Sequence, residues 1–196
     1  MNLDEADAQE APPPGEPDVV IVMGVSGCGK TSLAKGISAQ MGWTYAEGDA
    51  FHSEANVAKM HSGYPLTDED RWPWLQSIHD WIRGEVQEGR SAVVTCSALR
   101  RSYRDLLRGD LPQVRFLHPV ASFETIRARM EARKDHYMPA SLLQSQFDTL
   151  EDLEPDEPGF LVPAETSYPQ MLAESFHVLG LTPIDDETVP DQKTRP

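Results

Sequence analysis

Eight consecutive residues, Gly24-Val25-Ser26-Gly27-Cys28-Gly29-Lys30-Thr31, constrain this chain more than any other feature. They match the pattern G-x-x-x-x-G-K-[ST] at every required position. Glycines let a backbone wrap around phosphate oxygens with its N–H groups pointing inward, at the positive end of a helix. Lys30 is placed to reach β- and γ-phosphates, and the Thr31 hydroxyl suits Mg²⁺. The context agrees: Val19 to Met23 is an unbroken apolar run that reads as a buried strand, and Thr31 to Met41 reads as a helix. A glycine turn arising by chance has no reason to sit between those two. Gly24, Ser26, Gly27, Cys28, Gly29, Lys30, Thr31 and Ser32 are therefore expected to hold a nucleotide.

The rest of the chain repeats the strand–helix alternation. Strands are expected at Thr44–Glu47, Ser91–Thr95, Val114–His118 and Phe160–Val162. Helices are expected from a start near Ser53, then over Trp72–Glu88, Arg100–Arg108, Ser122–Arg133, Ala140–Leu150 and Ser167–Leu179. In the helix from Trp72, Leu75, Ile78, Ile82 and Val86 recur at helical spacing, with Pro73 in the first turn and Gly89 past the end. Such alternation implies an α/β fold, a parallel sheet covered by helices on both faces. The expected organisation is a disordered acidic, Pro-rich leader over residues 1–17, one domain over 18–180, and a flexible tail over 181–196.

The net charge of −15 says little about the domain itself. The first eighteen residues hold six acids and no Lys or Arg, and the last sixteen hold four acids against Lys193 and Arg195, so about half of the excess lies in the two ends. What remains is still acidic, which argues against nucleic acid as a partner. A few arginines in one cleft can nevertheless attract an anionic small molecule. The chain has no run of eighteen apolar residues, and its first segment lacks the basic and apolar regions of a signal peptide, so no membrane span and a cytoplasmic location are expected. Cys28 and Cys96 form no C-x-x-C pair and read as small packing residues.

A kinase needs a second pocket in which a substrate hydroxyl is oriented. Glu47-Gly48-Asp49-Ala50-Phe51-His52 follows the second strand, and the carboxyl ends of such strands are where these folds bind ligands. Asp49 suits the orientation of an attacking hydroxyl, and Glu47 suits holding a water on Mg²⁺. An acidic turn capping the next helix is the bland reading of the same residues. Lys59, His61, Arg71, Arg100, Arg101, Arg104 and Arg108 are possible anion binders, most of them read as solvated helix faces. Arg71 stands apart because it lies in a loop-like stretch. Arg100 and Arg101 stand apart because they follow Cys96-Ser97-Ala98-Leu99 at the end of a central strand. Trp72, Trp74 and Trp81 fall along one amphipathic helix and suit packing better than sugar stacking.

Several longer stretches then resemble the bacterial gluconate kinases. They are Gly48-Asp49-Ala50-Phe51-His52 with Asn56, Lys59-Met60, Gly63, Pro65-Leu66, Asp68, Asp70-Arg71 and Pro73-Trp74-Leu75. Further along come Cys96-Ser97-Ala98-Leu99, Tyr103-Arg104-Asp105, Arg133-Lys134 with His136, Leu142-Leu143, Ser145-Gln146-Phe147 and Leu150-Glu151. The resemblance covers about residues 19 to 179. It implies a P-loop NTPase fold like that of shikimate and nucleoside-monophosphate kinases, with a five-stranded parallel sheet and a mobile lid over about residues 130–142. It also implies transfer from ATP, with Mg²⁺, to D-gluconate, and a homodimer. Carried over, Asp49 orients the 6-hydroxyl. Arg71, Ser97, Ala98, Leu99 and Arg104 line the gluconate pocket, with His52, His136 and Gln146 as further contacts. Arg129 and Arg133 are spaced like lid arginines, one near adenine and one on the transferring phosphoryl group. Asp135, where the family usually has Gly, and Ser53, where Pro is common, depart from the pattern.

The residues by themselves leave other acceptors open, namely shikimate, a nucleoside monophosphate or another polyol acid. They also leave open a nucleotide-binding protein without catalysis.

Overall fold

The computed structural model describes residues 15–132 and 140–184. Five strands, β1 (Val19–Val22), β2 (Thr44–Glu47), β3 (Ala92–Thr95), β4 (Val114–Val120) and β5 (Gly159–Pro163), form one parallel sheet in the order β2-β3-β1-β4-β5. Seven helices are described: α1 (Lys30–Met41), α2 (Glu54–His61), α3 (Asp68–Gln87), α4 (Arg101–Arg108), α5 (Phe123–Glu131), α6 (Ala140–Thr149) and α7 (Tyr168–Leu179); all but α2 contribute to the core on the faces of the sheet. β1 is the centre of this arrangement and all four of its residues are fully buried. Successive side chains of a strand point to opposite faces. Val20 and Val22 accordingly pack with α1, α5 and α7 through Leu33, Ile37, Ile126, Leu172 and Phe176. Val19 and Ile21 pack with α3 and α4 through Leu75, Ile78, Ile82 and Leu107. This two-sided burial is the reason β1 is apolar without alternation.

Register decides what meets at the carboxyl edge. Val22 aligns with Thr95 on one side and Leu117 on the other, and Thr95 aligns in turn with Glu47. The loop after β1, the acidic turn after β2 and the Ser97–Leu99 turn after β3 therefore emerge side by side.

One expected boundary moves in a way that matters. α3 begins at Asp68, four residues before the expected start at Trp72. Thr67 accepts the Asp70 N–H, and Asp70 returns a bond to the Thr67 N–H, a reciprocal cap. Asp68, Glu69 and Asp70 all favour the positive end of the helix. Arg71 thus lies in the first turn of α3 and not in a loop, and Pro73 lies inside the helix. Elsewhere the expected elements agree within two residues. The expected helix to Arg133 ends at Glu131, and Arg133 and His136 lie outside the described residues. So do residues 1–14 and 185–196, which hold most of the expected leader and tail.

Candidate active site

The glycine loop runs from the end of β1 into α1. It is fastened from below by the Met23 N–H on Leu117 O (2.8 Å) and the Gly24 N–H on Ser97 O (3.1 Å). Gly24, Gly27 and Gly29 take positive φ values of 121°, 85° and 106°. A side chain on Gly24 would in addition meet the ring of His118 at 2.9 Å. Gly24 thus needs glycine on both counts, and Gly29 on its backbone conformation alone. α1 starts from Gly29, which has no side chain to cap the helix at the mouth of the loop. Lys30 folds back along the loop, its Nζ donating to the carbonyls of Gly24 and Val25 at 3.0 Å each. Cys28 is buried, burial pushes its thiol pKa up, and its Sγ lies on Met23 O; it packs, and offers the loop only its backbone.

Glu47 ends β2 beside the loop. Its Oε1 accepts from the Thr31 hydroxyl (3.2 Å) and from Thr95 Oγ1 (2.5 Å), while Tyr45 O–H donates to Oε2. Thr95 Oγ1 in turn accepts the Gly48 N–H (3.2 Å). Gly48 lies so close to β3 that a Cβ there would stand 2.0 Å from the Thr95 carbonyl oxygen. Its own carbonyl accepts from the indole of Trp74 (2.8 Å). A short 3-10 turn, Gly48–Phe51, is thereby pinned to the strand end, and it lifts Asp49 into the open with 83% of its side chain exposed. His52 Nε2 is 3.9 Å from Asp49 Oδ1, and its ring stacks on Trp74 at 4.2 Å. Its Nδ1 is buried without a hydrogen-bond partner among the described residues. Burial lowers its pKa, Asp49 opposes that, and Arg71 adds to it, which puts Asp49, His52 and Arg71 in one electrostatic neighbourhood.

The Ser97–Leu99 turn closes the same edge. Ala98 is forced to φ 43°, the one positive value outside glycine among the described residues. Arg104 explains how the turn is held, and it corrects an expectation. Arg104 does not line an open pocket, since it is 1% exposed. Its guanidinium donates to Glu157 (Nε to Oε1 2.5 Å, Nη2 to Oε2 2.8 Å) and to the carbonyls of Ala98, Glu151 and Asp152. All its donors are engaged, so it braces the substrate-side turn from behind.

Gln146 also lands elsewhere than expected. From α6 its Oε1 accepts the Ser26 N–H (2.7 Å) and its Nε2 donates to Ser26 Oγ (3.2 Å), which puts it on the apex of the glycine loop. Arg129, on α5, donates to Ala164 O (2.5 Å) in the connection between β5 and α7. Glu165 in that connection ties back to the cap of α5 through the Ser122 N–H and hydroxyl. Ser32 lies one residue beyond Thr31 on the exposed side of α1, its carbonyl accepting from Tyr168 O–H. Sequence reasoning missed Thr95 and Trp74 as supports of the acidic turn. It also missed Asp68 and Tyr103 as partners of Arg71, contacts that the Thr67–Asp70 capping pattern would have brought within reach.

Comparison with known proteins bears directly on this arrangement. The family described as "AAA domain" matches residues 19–153. A gluconokinase of Gluconobacter oxydans (strain 621H) is 50% identical over 161 residues, 82% of this chain and 90% of that protein. The chain belongs to the gluconokinase family. Within the family, the thermosensitive gluconokinase of Escherichia coli K12 is 42% identical over 70% of this chain and 73% of its own length. A gluconokinase structure from Sinorhizobium meliloti 1021 superposes with a TM-score of 0.76 at 40% identity, covering 84% of this chain and 92% of that one. A shikimate kinase from Bacteroides thetaiotaomicron, at 14% identity and a TM-score of 0.60, shares the fold.

Proposed function

We propose that this protein transfers the γ-phosphoryl group of ATP to the 6-hydroxyl of D-gluconate, giving ADP and 6-phosphogluconate. The observation that supports the proposal is the turn that carries Asp49: it is pinned to Thr95 and follows Glu47, whose carboxylate meets Thr31 at the start of α1, in a chain of the gluconokinase family. In this reading ATP lies along the loop and the amides of α1. Lys30 leaves the carbonyls of Gly24 and Val25 and turns to the phosphates. Asp49 orients the 6-hydroxyl and takes its proton as O6 attacks the γ-phosphorus and the bond to ADP breaks. Arg71 and the Ser97–Leu99 turn hold the sugar acid, with His52 as a further contact beside Asp49, and Arg104 serves through the turn.

The oxygen donors fit magnesium. Thr31 and Glu47 converge, and no group of three or more His, Cys, Asp or Glu suited to a metal occurs among the described residues. Magnesium is characteristically held by one or two protein oxygens together with waters and substrate phosphates. Thr31 would bind it directly and Glu47 through water, and when bound it supplies charge neutralisation on the phosphoryl oxygens. Arg129 is assigned to the adenine side and Arg133 to the phosphoryl group, with His136 on the substrate. The family resemblance also leads us to assign a homodimer and a cytoplasmic location; no described helix is long and apolar enough to cross a membrane. A coupled ADP-release assay with gluconate, shikimate and AMP tests the proposal. Stimulation by gluconate alone is expected, and stimulation by another acceptor alone would overturn it.

A further inference from the structure

At the N-termini of α3 and α4, two arginines meet over one tyrosine. Arg71 Nη1 donates to Tyr103 O–H (3.3 Å) and reaches Asp68 Oδ1 at 3.5 Å. Arg100, the residue that caps α4, donates from Nη1 to Asp68 Oδ2 (2.8 Å). Tyr103 O–H donates to Asp68 Oδ1 (2.5 Å), and each guanidinium carbon lies 5.8 Å from the centre of the Tyr103 ring. Tyr103 is buried and held edge-on by Trp72 at 5.4 Å, so the platform under the arginines is fixed.

Building on the gluconate reading, we infer that Arg71 and Arg100 together form the carboxylate-binding end of the acceptor pocket, with Asp68 and Tyr103 as the residues that hold them side by side. Three observations carry this. The group has two cations and one anion, a surplus of one positive charge that matches a sugar acid with one carboxylate. Each guanidinium uses only Nη1 in these contacts, which leaves Nε and Nη2 of both for a ligand among the described residues. The group is also in the right place: Arg100 directly follows the Ser97–Leu99 turn that is bonded to Gly24, and Arg71 acts on His52 next to Asp49. A fastening between α3 and α4 would need one arginine on Asp68. The second would repel the first, and Asp68 makes their proximity tolerable. Hydrogen bonding from Tyr103, followed by the two arginines, lowers the Asp68 pKa, so it is an anion under working conditions.

The arrangement makes Arg100 a specificity residue and Asp68 a positioning residue. The test compares kcat/KM for D-gluconate with that for gluconamide, the same polyol chain carrying an uncharged amide, at saturating ATP. Arg100→Met is expected to cut the wild-type preference for the acid about 10–100-fold, as loss of a hydrogen bond to a charged group does, with the change in the KM for gluconate and not in kcat. Asp68→Asn is expected to cut it in the same way, and Asp68→Glu to restore most of it. An Arg100→Met enzyme with the wild-type preference overturns the inference, as does an Asp68→Glu enzyme no better than Asp68→Asn. Wild-type protein that releases no ADP with gluconate would instead overturn the functional reading on which this rests.

Discussion

The carboxylate of Glu47 lies 3.2 Å from the hydroxyl of Thr31, joining the end of β2 to the first turn of α1 across the mouth of the glycine loop. That contact links the element that would grip phosphate with the strand end that carries Asp49 two residues further on. It depends on register, because Thr95 receives Glu47 as its neighbour in the sheet and bonds both Glu47 and the Gly48 N–H.

Replacing Glu47 by Gln keeps the shape and removes the charge. Outer partners of a bound metal typically contribute 10–100-fold to affinity or activity, so kcat is expected to fall by about that factor and the magnesium requirement to rise. A magnesium titration of the ADP-release rate measures both. An unchanged titration midpoint would show that Glu47 does not serve the metal.

Arg104 offers a test of a different kind, since it acts through structure. Its pair with Glu157 is almost fully buried, and removing one partner of such a pair costs about 3–5 kcal/mol because the other charge is left stranded. Arg104→Ala should therefore lose that much stability in urea denaturation. If the variant unfolds at the wild-type midpoint while its gluconate KM rises, Arg104 is a direct ligand after all.

Much of this was legible in the chain itself. β1, the glycine loop and α1 could be read because local signals coincide: an unbroken apolar run, obligatory glycines, then helical periodicity. The acidic turn was legible for the same reason. Arg104 was not, because a charged residue in an eight-residue helix looks like a solvated face, and the partner that buries it lies 53 residues further along. Gln146 reads as a sugar contact because nothing local shows that α6 reaches Ser26, 120 residues earlier. Pro73 suggests a first turn for α3 near Trp72, while the stronger signal is the cap made by Thr67 and Asp70.

His118 gives a pH dependence whose sign can be worked out. It sits on β4 behind Gly24, and burial drives its pKa down to about 4 from 6.5, with Asp152 opposing and Arg104 and Lys30 assisting. The unfolded chain therefore binds more protons between those values than the folded one. The stability that neutral His118 permits is complete above about pH 6.5 and is lost as the pH falls towards 4, by up to about 3 kcal/mol at roughly 1.4 kcal/mol per unit. Urea denaturation at pH 7 and pH 4.5 should show a smaller acid loss for His118→Gln than for wild type. An equal loss in both would remove His118 from the explanation.

Asp49 is where the proposed chemistry converges, and its amide tests that chemistry with the least disturbance. Single-turnover phosphoryl transfer to D-gluconate, followed with ATP pre-bound, compares wild type with Asp49→Asn. The variant is expected to bind ATP as wild type does and to transfer about 10²–10⁴-fold more slowly, the range that a positioned acid–base group contributes. Transfer at the wild-type rate would mean that this carboxylate does not direct the hydroxyl.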